Sequence, residues 1–207
     1  MLKDLGAVRA TARQISEAIS GVVEALRAGR VEHEPAFTDR MLQAIETRLD
    51  GKNIHGVHWQ AKTLTDRGRD SQERLYGADF MGVLSIDLPG YRATKGFLAQ
   101  AKLVRGRSTG TASDLVRQCN AMLELSPMSF VFLYGPSGVE VASATAVVGA
   151  GGRTSGVYKQ STLGFFEDHL KCSIGDQRIQ LPHADTLKVL ASNTPARSAL
   201  VLQATSV

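Results

Sequence analysis

The stretch GADFMGVLSIDLPGYRATKGFLAQAK, residues 77–102, decides the fold. Two apolar runs flank Pro89-Gly90, a pair of residues that favours a turn. The pattern predicts a β-hairpin with strands over 79–88 and 96–104, joined by this turn and by the polar segment that ends at Lys95. Strands this apolar belong in a core, where a charge is costly unless it is paired or used.

Three polar side chains nevertheless lie on the predicted strands: Asp79 opens the first, and Gln100 and Lys102 are on the second. If the residue numbers of two paired positions add up to 181, Asp79 lies opposite Lys102, and Met81 lies opposite Gln100. Any odd total brings the three polar side chains to one face of the sheet, whereas an even total separates Asp79 from the other two. Asp79 and Gln100 would then be diagonal neighbours, roughly 6–8 Å apart between backbone positions.

Oxygens from Asp79 and Gln100 at this separation can converge on one small cation. Mg²⁺ suits such a site, since it prefers oxygen ligands, usually takes one or two carboxylates and keeps several waters. A glutamine carbonyl replaces a second carboxylate at the cost of one negative charge. Lys102 would orient or help deprotonate a metal-bound water, or neutralise charge on a phosphate.

The combination of Asp79, a strand, a turn and Gln100-Ala101-Lys102 resembles the PD-(D/E)xK nuclease superfamily, the restriction endonuclease-like fold, in its QxK variant. The resemblance covers about residues 34–134. It implies a helix, a mixed sheet with a hairpin, a second helix and a further strand. It also implies that Asp79 and Gln100 bind Mg²⁺ or Mn²⁺ and that Lys102 is the catalytic lysine.

A glutamate on the helix before the sheet often completes the site in this superfamily. Glu34 is our choice for that third ligand and catalytic residue, with Glu46 as the rival and Glu73 as a further candidate carboxylate. The sequence departs from the family pattern in two places. Gly77-Ala78 stands where a proline commonly precedes the aspartate, and Gln100 replaces the commoner acid.

The chain before the motif predicts an N-terminal amphipathic helical arm over residues 1–30, because apolar side chains recur there at three- and four-residue steps. Its apolar stripe must be buried either on its own domain or on a second copy, which suggests a homo-oligomer or a partner subunit held through this helix. Residues 31–207 form the predicted nuclease domain, with a core at about 34–145 and a C-terminal α/β extension.

The rest of the chain alternates helical and extended patterns. We expect helices over 35–49, 112–125 and 160–172, and strands near 57, over 129–134, over 139–148 and over 199–205. The predicted fold class is therefore α/β, a restriction endonuclease-like mixed β-sheet flanked by helices, with the N-terminal helical arm added.

Composition places the chain among folded proteins: its 207 residues are 43% hydrophobic and 21% charged, with a net charge of +4. Cys119 and Cys172 lack the close spacing of a metal or redox motif, so we expect free thiols in a reducing compartment. The sequence has neither a signal-like apolar stretch at its start nor an apolar run of membrane-spanning length. We therefore expect a cytoplasmic protein with no membrane partner.

Arginines concentrate in the two loops that flank the predicted hairpin, where they would grip a nucleic-acid backbone. These residues are Arg67, Arg69, Arg74, Arg105 and Arg107. His55 and His58 are a weak zinc signal without a third ligand. The leading hypothesis is a Mg²⁺-dependent endonuclease acting on DNA, of a kind frequent in anti-phage defence and restriction. The alternative is a catalytically inactive nuclease-fold subunit that binds nucleic acid or serves in assembly.

Overall fold

The structure is a computed structural model, and it describes residues 4–30, 33–65, 77–104, 111–179 and 196–207. The helices in these ranges are α1 (Leu5–Arg27), α2 (Glu34–Leu49), α3 (Ala112–Leu125), α4 (Ala144–Gly149) and α5 (Thr162–Leu170). The strands are β1 (Lys52–Ile54), β2 (Val57–Thr65), β3 (Ala78–Leu88), β4 (Tyr91–Leu103), β5 (Ser129–Gly135), β6 (Gly138–Ser143), β7 (Gln160–Ser161) and β8 (Ala196–Ser206).

The described strands form one mixed sheet in the order β1-β2-β8-β3-β4-β5-β6-β7. β3 and β4 are antiparallel, whereas β4 pairs with β5 and β3 pairs with β8 in parallel. Apolar side chains of α1, α2 and α5 form one core layer with the sheet, and those of α3 and α4 form another. The predicted α/β class, a mixed sheet flanked by helices, is confirmed.

The hairpin forms with a tighter turn than the sequence predicts. β4 begins at Tyr91, directly after Pro89-Gly90, so the polar segment predicted as loop is part of the strand. Gly90 has a φ of +75°, which glycine adopts without steric cost. Phe80 pairs with Ala99, and paired positions add up to 179 rather than 181. The total is still odd, so the predicted sharing of one face is retained.

The N-terminal helix is an integral part of the core rather than a projecting arm. Its stripe, including Ile15 and Ile19, is buried in the layer that α2 and α5 also form. Arg48 of α2 contacts Glu17 at 2.6 Å, and the hydroxyls of Ser16 and Thr162 are 3.1 Å apart. The stripe is covered by its own chain, so the expectation of dimerisation through it loses its basis.

The prediction of a strand continuing to residue 148 is wrong. β6 ends at Ser143, and α4 begins at the next residue. Ala144 and Val147 are both buried, three residues apart, which is the spacing of one helical face. The β-branched residues of this segment favour a strand locally, but packing of that face against the second core layer overrides the propensity.

The last strand lies deeper in the sheet than a C-terminal extension implies. β8 is inserted between β2 and β3 and pairs with both. Leu200 and Leu202 point into the core layer beneath α1 and α2. Residues outside the expected 34–145 core therefore complete the centre of the sheet.

Cys119 and Cys172 are both free, as expected; Cys119 is buried and Cys172 is partly exposed. In the part of the chain that the structure describes, no helix has the length and apolar character that crossing a membrane requires.

His169 on α5 is a buried titratable group in the aromatic core. Its ring lies edge-on to that of Phe97, with centroids 5.0 Å apart, and its Nδ1 is 3.4 Å from the carbonyl oxygen of Ile174. Burial, together with the nearby Lys95 ammonium, lowers the pKa of His169 from 6.5 to about 3. The folded protein therefore holds this imidazole neutral over a range in which the unfolded chain protonates it.

We expect His169 to make folding stability depend on pH between 6.5 and about 3. Its contribution is fully present above pH 6.5 and is lost as the pH falls, with a slope of at most about 1.4 kcal/mol per pH unit. Urea unfolding from pH 7 to pH 4.5 measures this slope. His169→Phe, which keeps an aromatic ring against Phe97, should flatten it; an equal slope in both proteins would contradict the assignment.

Candidate active site

The three polar residues of the hairpin meet at the end of the sheet where β3 begins and β4 ends. Asp79 is the second residue of β3, and Gln100 and Lys102 lie near the end of β4. Continuing the observed register places Asp79 opposite Gln100, one pair closer than predicted. α3 covers this face of the sheet. The observed total stays odd, as a shared face for Asp79, Gln100 and Lys102 requires.

The Asp79 carboxylate is bound to β4 by main-chain and side-chain donors. Its Oδ2 accepts hydrogen bonds from the Gln100 side-chain amide at 2.6 Å and from the Ala101 main-chain N–H at 2.7 Å. The same Gln100 Nε2 donates to the Ala101 carbonyl oxygen at 3.1 Å. Gln100 is only 1% exposed, so this network is fixed in place by packing.

Glu34, in the first turn of α2, reaches the end of the sheet where β3 begins and β4 ends, which we call the corner. Its Oε1 accepts a hydrogen bond from the Leu103 main-chain N–H at 2.9 Å, and its Oε2 lies 3.6 Å from Lys102 Nζ. Both side chains stay partly exposed, 31% for Glu34 and 22% for Lys102. Because 3.6 Å is longer than a hydrogen bond, the Lys102 ammonium keeps donors available for a further partner.

Glu46, the rival helix carboxylate, lies elsewhere on the sheet. Glu46 Oε2 accepts a hydrogen bond from the Thr63 main-chain N–H at 2.8 Å, which places it over β2. Glu73 lies outside the described residues, as do the five loop arginines 67, 69, 74, 105 and 107. Among the described carboxylates, Glu34 is therefore the one from a helix before the sheet that contacts Lys102.

The two histidines lie away from the site. His58 is near the start of β2, which pairs with the last residues of β8, whereas Asp79 lies beside the first residues of β8. His58 Nδ1 contacts Asn53 Oδ1 at 2.8 Å. His55 has a φ of +49° between β1 and β2. These residues belong to the opposite end of the sheet.

Tyr134 supports the site from the α2 side, a contribution that no motif in the sequence indicates. Its hydroxyl lies 3.2 Å from Thr38 Oγ1, which in turn donates to the Glu34 carbonyl oxygen at 3.0 Å. Burial raises the pKa of Tyr134, and the negative charges of Asp79, Glu34 and Asp39 raise it further, while the Thr38 bond lowers it. The phenol stays neutral and holds the first turn of α2 in place.

Cys119 of α3 borders the site from the other side. Burial raises the pKa of this thiol to about 11, and the nearby Lys102 ammonium acts in the opposite direction. The thiol is therefore protonated at neutral pH and offers neither a nucleophile nor a competing anion to Lys102.

The donor set suits a hard divalent cation. Asp79 and Glu34 carry carboxylates and Gln100 carries an amide oxygen, although that buried, unpartnered Oε1 faces away from Asp79 while Nε2 faces it. Within the described ranges, no group of three or more His, Cys, Asp or Glu side chains is placed to hold a metal ion. A cation here would rest on two carboxylates together with amide and main-chain oxygens.

Comparisons with protein-family models, with curated proteins and with solved structures found no match to this chain.

Main-chain groups complete the site in ways that no residue type reveals. The N–H groups of Ala101 and Leu103 orient Asp79 and Glu34. They lie at the end of β4 where the paired strand β3 begins, and each donates to a carboxylate side chain instead of to a main-chain carbonyl of a neighbouring strand. The sequence signal that could have located them is the staggered ends of the two hairpin strands.

Proposed function

We propose that the chain is a metal-dependent endonuclease of the PD-(D/E)xK class that hydrolyses phosphodiester bonds. The observation that carries the proposal is two polar pairs at one corner of the sheet: Gln100 contacts Asp79 at 2.6 Å, and Lys102, two residues further along β4, lies 3.6 Å from Glu34. Two carboxylates, an amide and an ammonium, all at least partly buried on two strands and one helix, are costly unless they serve a common purpose.

The order of elements supports the restriction endonuclease-like fold. α2 precedes the β3–β4 hairpin, α3 follows it, and β5 pairs with β4 in parallel. This is the helix, hairpin, helix and further strand that the family resemblance implies. The insertion of β8 between β2 and β3 is a departure from the simple order, and it leaves the hairpin corner intact.

Asp79, Gln100 and Glu34 would hold Mg²⁺ or Mn²⁺. The ion would supply positive charge against the oxygens of the scissile phosphate and favour ionisation of the attacking water. Lys102 would add a second positive charge and donate hydrogen bonds to the phosphate or to that water. Glu34 keeps the ammonium beside the site, and its own orientation is set by Leu103.

The substrate we propose is DNA, gripped by the arginines of the two flanking loops, whose main chains lead directly into β3 and out of β4. A cytoplasmic role in anti-phage defence or restriction is the setting that the family resemblance suggests. Sequence specificity would then come from a partner subunit or from the loops.

The second candidate is a catalytically inactive subunit of the same fold that binds nucleic acid. It is favoured by one observation: the Gln100 amide N–H, rather than an oxygen, faces Asp79. A nitrogen donor at this place repels a cation. The two candidates differ in whether the purified chain cuts nucleic acid.

We expect the wild-type chain to cut plasmid DNA with Mg²⁺ or Mn²⁺ and to be inactive in EDTA, because its own residues carry too little positive charge at the phosphate. Asp79→Ala should abolish cutting, since Asp79 is the central carboxylate of the site. Gel assays of plasmid and of a structured RNA, across divalent metals, measure this. A wild type that cuts neither substrate but binds DNA would support the inactive subunit instead.

A further inference from the structure

The orientation of the Gln100 side-chain amide is the most informative detail of the site. Its Nε2 faces two oxygens, Asp79 Oδ2 at 2.6 Å and the Ala101 carbonyl at 3.1 Å. Its Oε1 faces the other way and is buried without any partner. A buried acceptor left without a donor is unfavourable, so this orientation is stabilised mainly by the charge-assisted bond to Asp79.

This orientation is the reverse of what a cation needs. A metal ion binds the amide through its carbonyl oxygen, and the N–H₂ group repels it. Turning the amide by half a rotation exchanges Nε2 and Oε1 with little movement of the rest of the side chain. Oε1 would then lie beside Asp79 Oδ2 and the Ala101 carbonyl, close to the present separations of 2.6 and 3.1 Å.

An amide oxygen at these separations from the Asp79 and Ala101 oxygens is repelled by both unless a cation lies among them. Around Mg²⁺, bonds of 2.0–2.1 Å at right angles place neighbouring oxygens about 2.9 Å apart. The present contacts bracket that spacing. The pocket therefore has two self-consistent arrangements: one with the amide N–H₂ toward Asp79 and no ion, and one with the amide oxygen toward Asp79 and an ion.

We propose that Gln100 is a latch on the metal site: its amide N–H₂ holds Asp79 in the metal-free protein, and divalent-cation binding requires reversal of that amide. This inference rests on the proposed function, since it concerns the same ion. It explains why a buried amide can replace an acid here. A glutamate would place two carboxylates in contact in the metal-free state, whereas the glutamine amide donates a hydrogen bond to Asp79 when no ion is bound.

The latch predicts weaker metal binding than an acid would give. Opening it breaks a charge-assisted hydrogen bond before the ion binds, which reduces the apparent affinity. We expect Gln100→Glu to bind Mg²⁺ at least about tenfold more tightly than the wild type. Gln60→Glu makes the same charge change at an exposed position on β2 and should leave the affinity unchanged.

The decisive test is NMR of ¹⁵N-labelled protein with Mg²⁺ alone. Gln100 Nε2 and the Ala101 N–H donate to the same Asp79 oxygen, so their protons are close and should give a nuclear Overhauser effect in EDTA. Loss of the side-chain N–H₂ resonances in Gln100→Glu assigns them. We expect saturating Mg²⁺ to abolish this effect while shifting the Asp79 main-chain amide.

Two results would overturn the latch, and they are distinguishable. If Mg²⁺ shifts the Asp79 amide but the effect between Gln100 and Ala101 persists, the amide does not reverse and the metal site stands without a latch. If Mg²⁺ changes neither the wild-type spectrum nor that of Gln100→Glu, the corner holds no metal, and the proposed function fails with the latch.

Discussion

Lys102→Ala is expected to lower Mg²⁺-dependent plasmid cleavage by on the order of 10²–10⁴-fold, the usual effect of removing a group that acts on the reacting atoms. Lys102 is the ammonium that Glu34 holds at the corner, and its donors are not exhausted by that contact. The fold should survive, because Glu34 keeps its hydrogen bond from Leu103. A partly exposed ion pair of this kind contributes at most about 1 kcal/mol to stability.

Lys52→Ala is the matched control, since this lysine is exposed on β1 at the opposite end of the sheet. It removes the same charge from the chain, so any general loss of electrostatic attraction to DNA appears in both variants. Initial rates on supercoiled plasmid at saturating Mg²⁺ give the comparison, with DNA binding measured in EDTA. Equal cleavage by Lys102→Ala and wild type would exclude a catalytic role for Lys102.

Gly77→Ala is expected to destabilise the protein by about 2–5 kcal/mol and to displace Asp79. Gly77 has a φ of +71°, which costs a residue with a side chain roughly 1–2 kcal/mol. A Cβ there would lie 2.4 Å from the main-chain oxygen of Gln118, so β3 or α3 must shift, at a further 1–3 kcal/mol or so. Thermal unfolding should show a fall of roughly 5–15 °C for a chain of this size.

Gly51→Ala separates the two causes. Gly51 has nearly the same φ, +70°, but nothing lies within 4 Å of a Cβ placed there. Gly51→Ala should therefore lower the free energy of unfolding only by the cost of a positive φ, roughly 1–2 kcal/mol. If Gly77→Ala and Gly51→Ala are equally destabilised, the close approach of β3 to α3 is not a constraint. A larger loss in Gly77→Ala, accompanied by weaker cleavage, would show that this contact positions Asp79.

The sequence predicted the corner because its logic depends on parity and not on exact register. The predicted total of 181 differs from the observed 179, yet both place Asp79, Gln100 and Lys102 on one face. Glu34 was chosen from the family resemblance, and the structure places its carboxylate 3.6 Å from Lys102; its role as a metal ligand stays a prediction. The apolar periodicity of α1 and α2 located these helices within a few residues of their observed bounds.

The features that the sequence could not predict are long-range or belong to the main chain. No local sequence pattern predicts that β8 inserts between β2 and β3, because a parallel pairing between distant segments has no turn residues to mark it. The sequence of the helix Ala144–Gly149 predicts a strand, and only the packing of Ala144 and Val147 in the folded chain explains why it is a helix. The hydrogen bonds from Ala101 and Leu103 are invisible in a residue pattern, since every residue except proline carries the same donor.

Anomalous diffraction from crystals soaked in Mn²⁺ shows whether Asp79 and Gln100 share one divalent ion. We expect one strong anomalous peak in contact with an Asp79 carboxylate oxygen and with the Gln100 side-chain oxygen, absent from Asp79→Ala crystals. Wild-type crystals that show no peak at this corner under saturating Mn²⁺, or a peak confined to another part of the molecule, would contradict it.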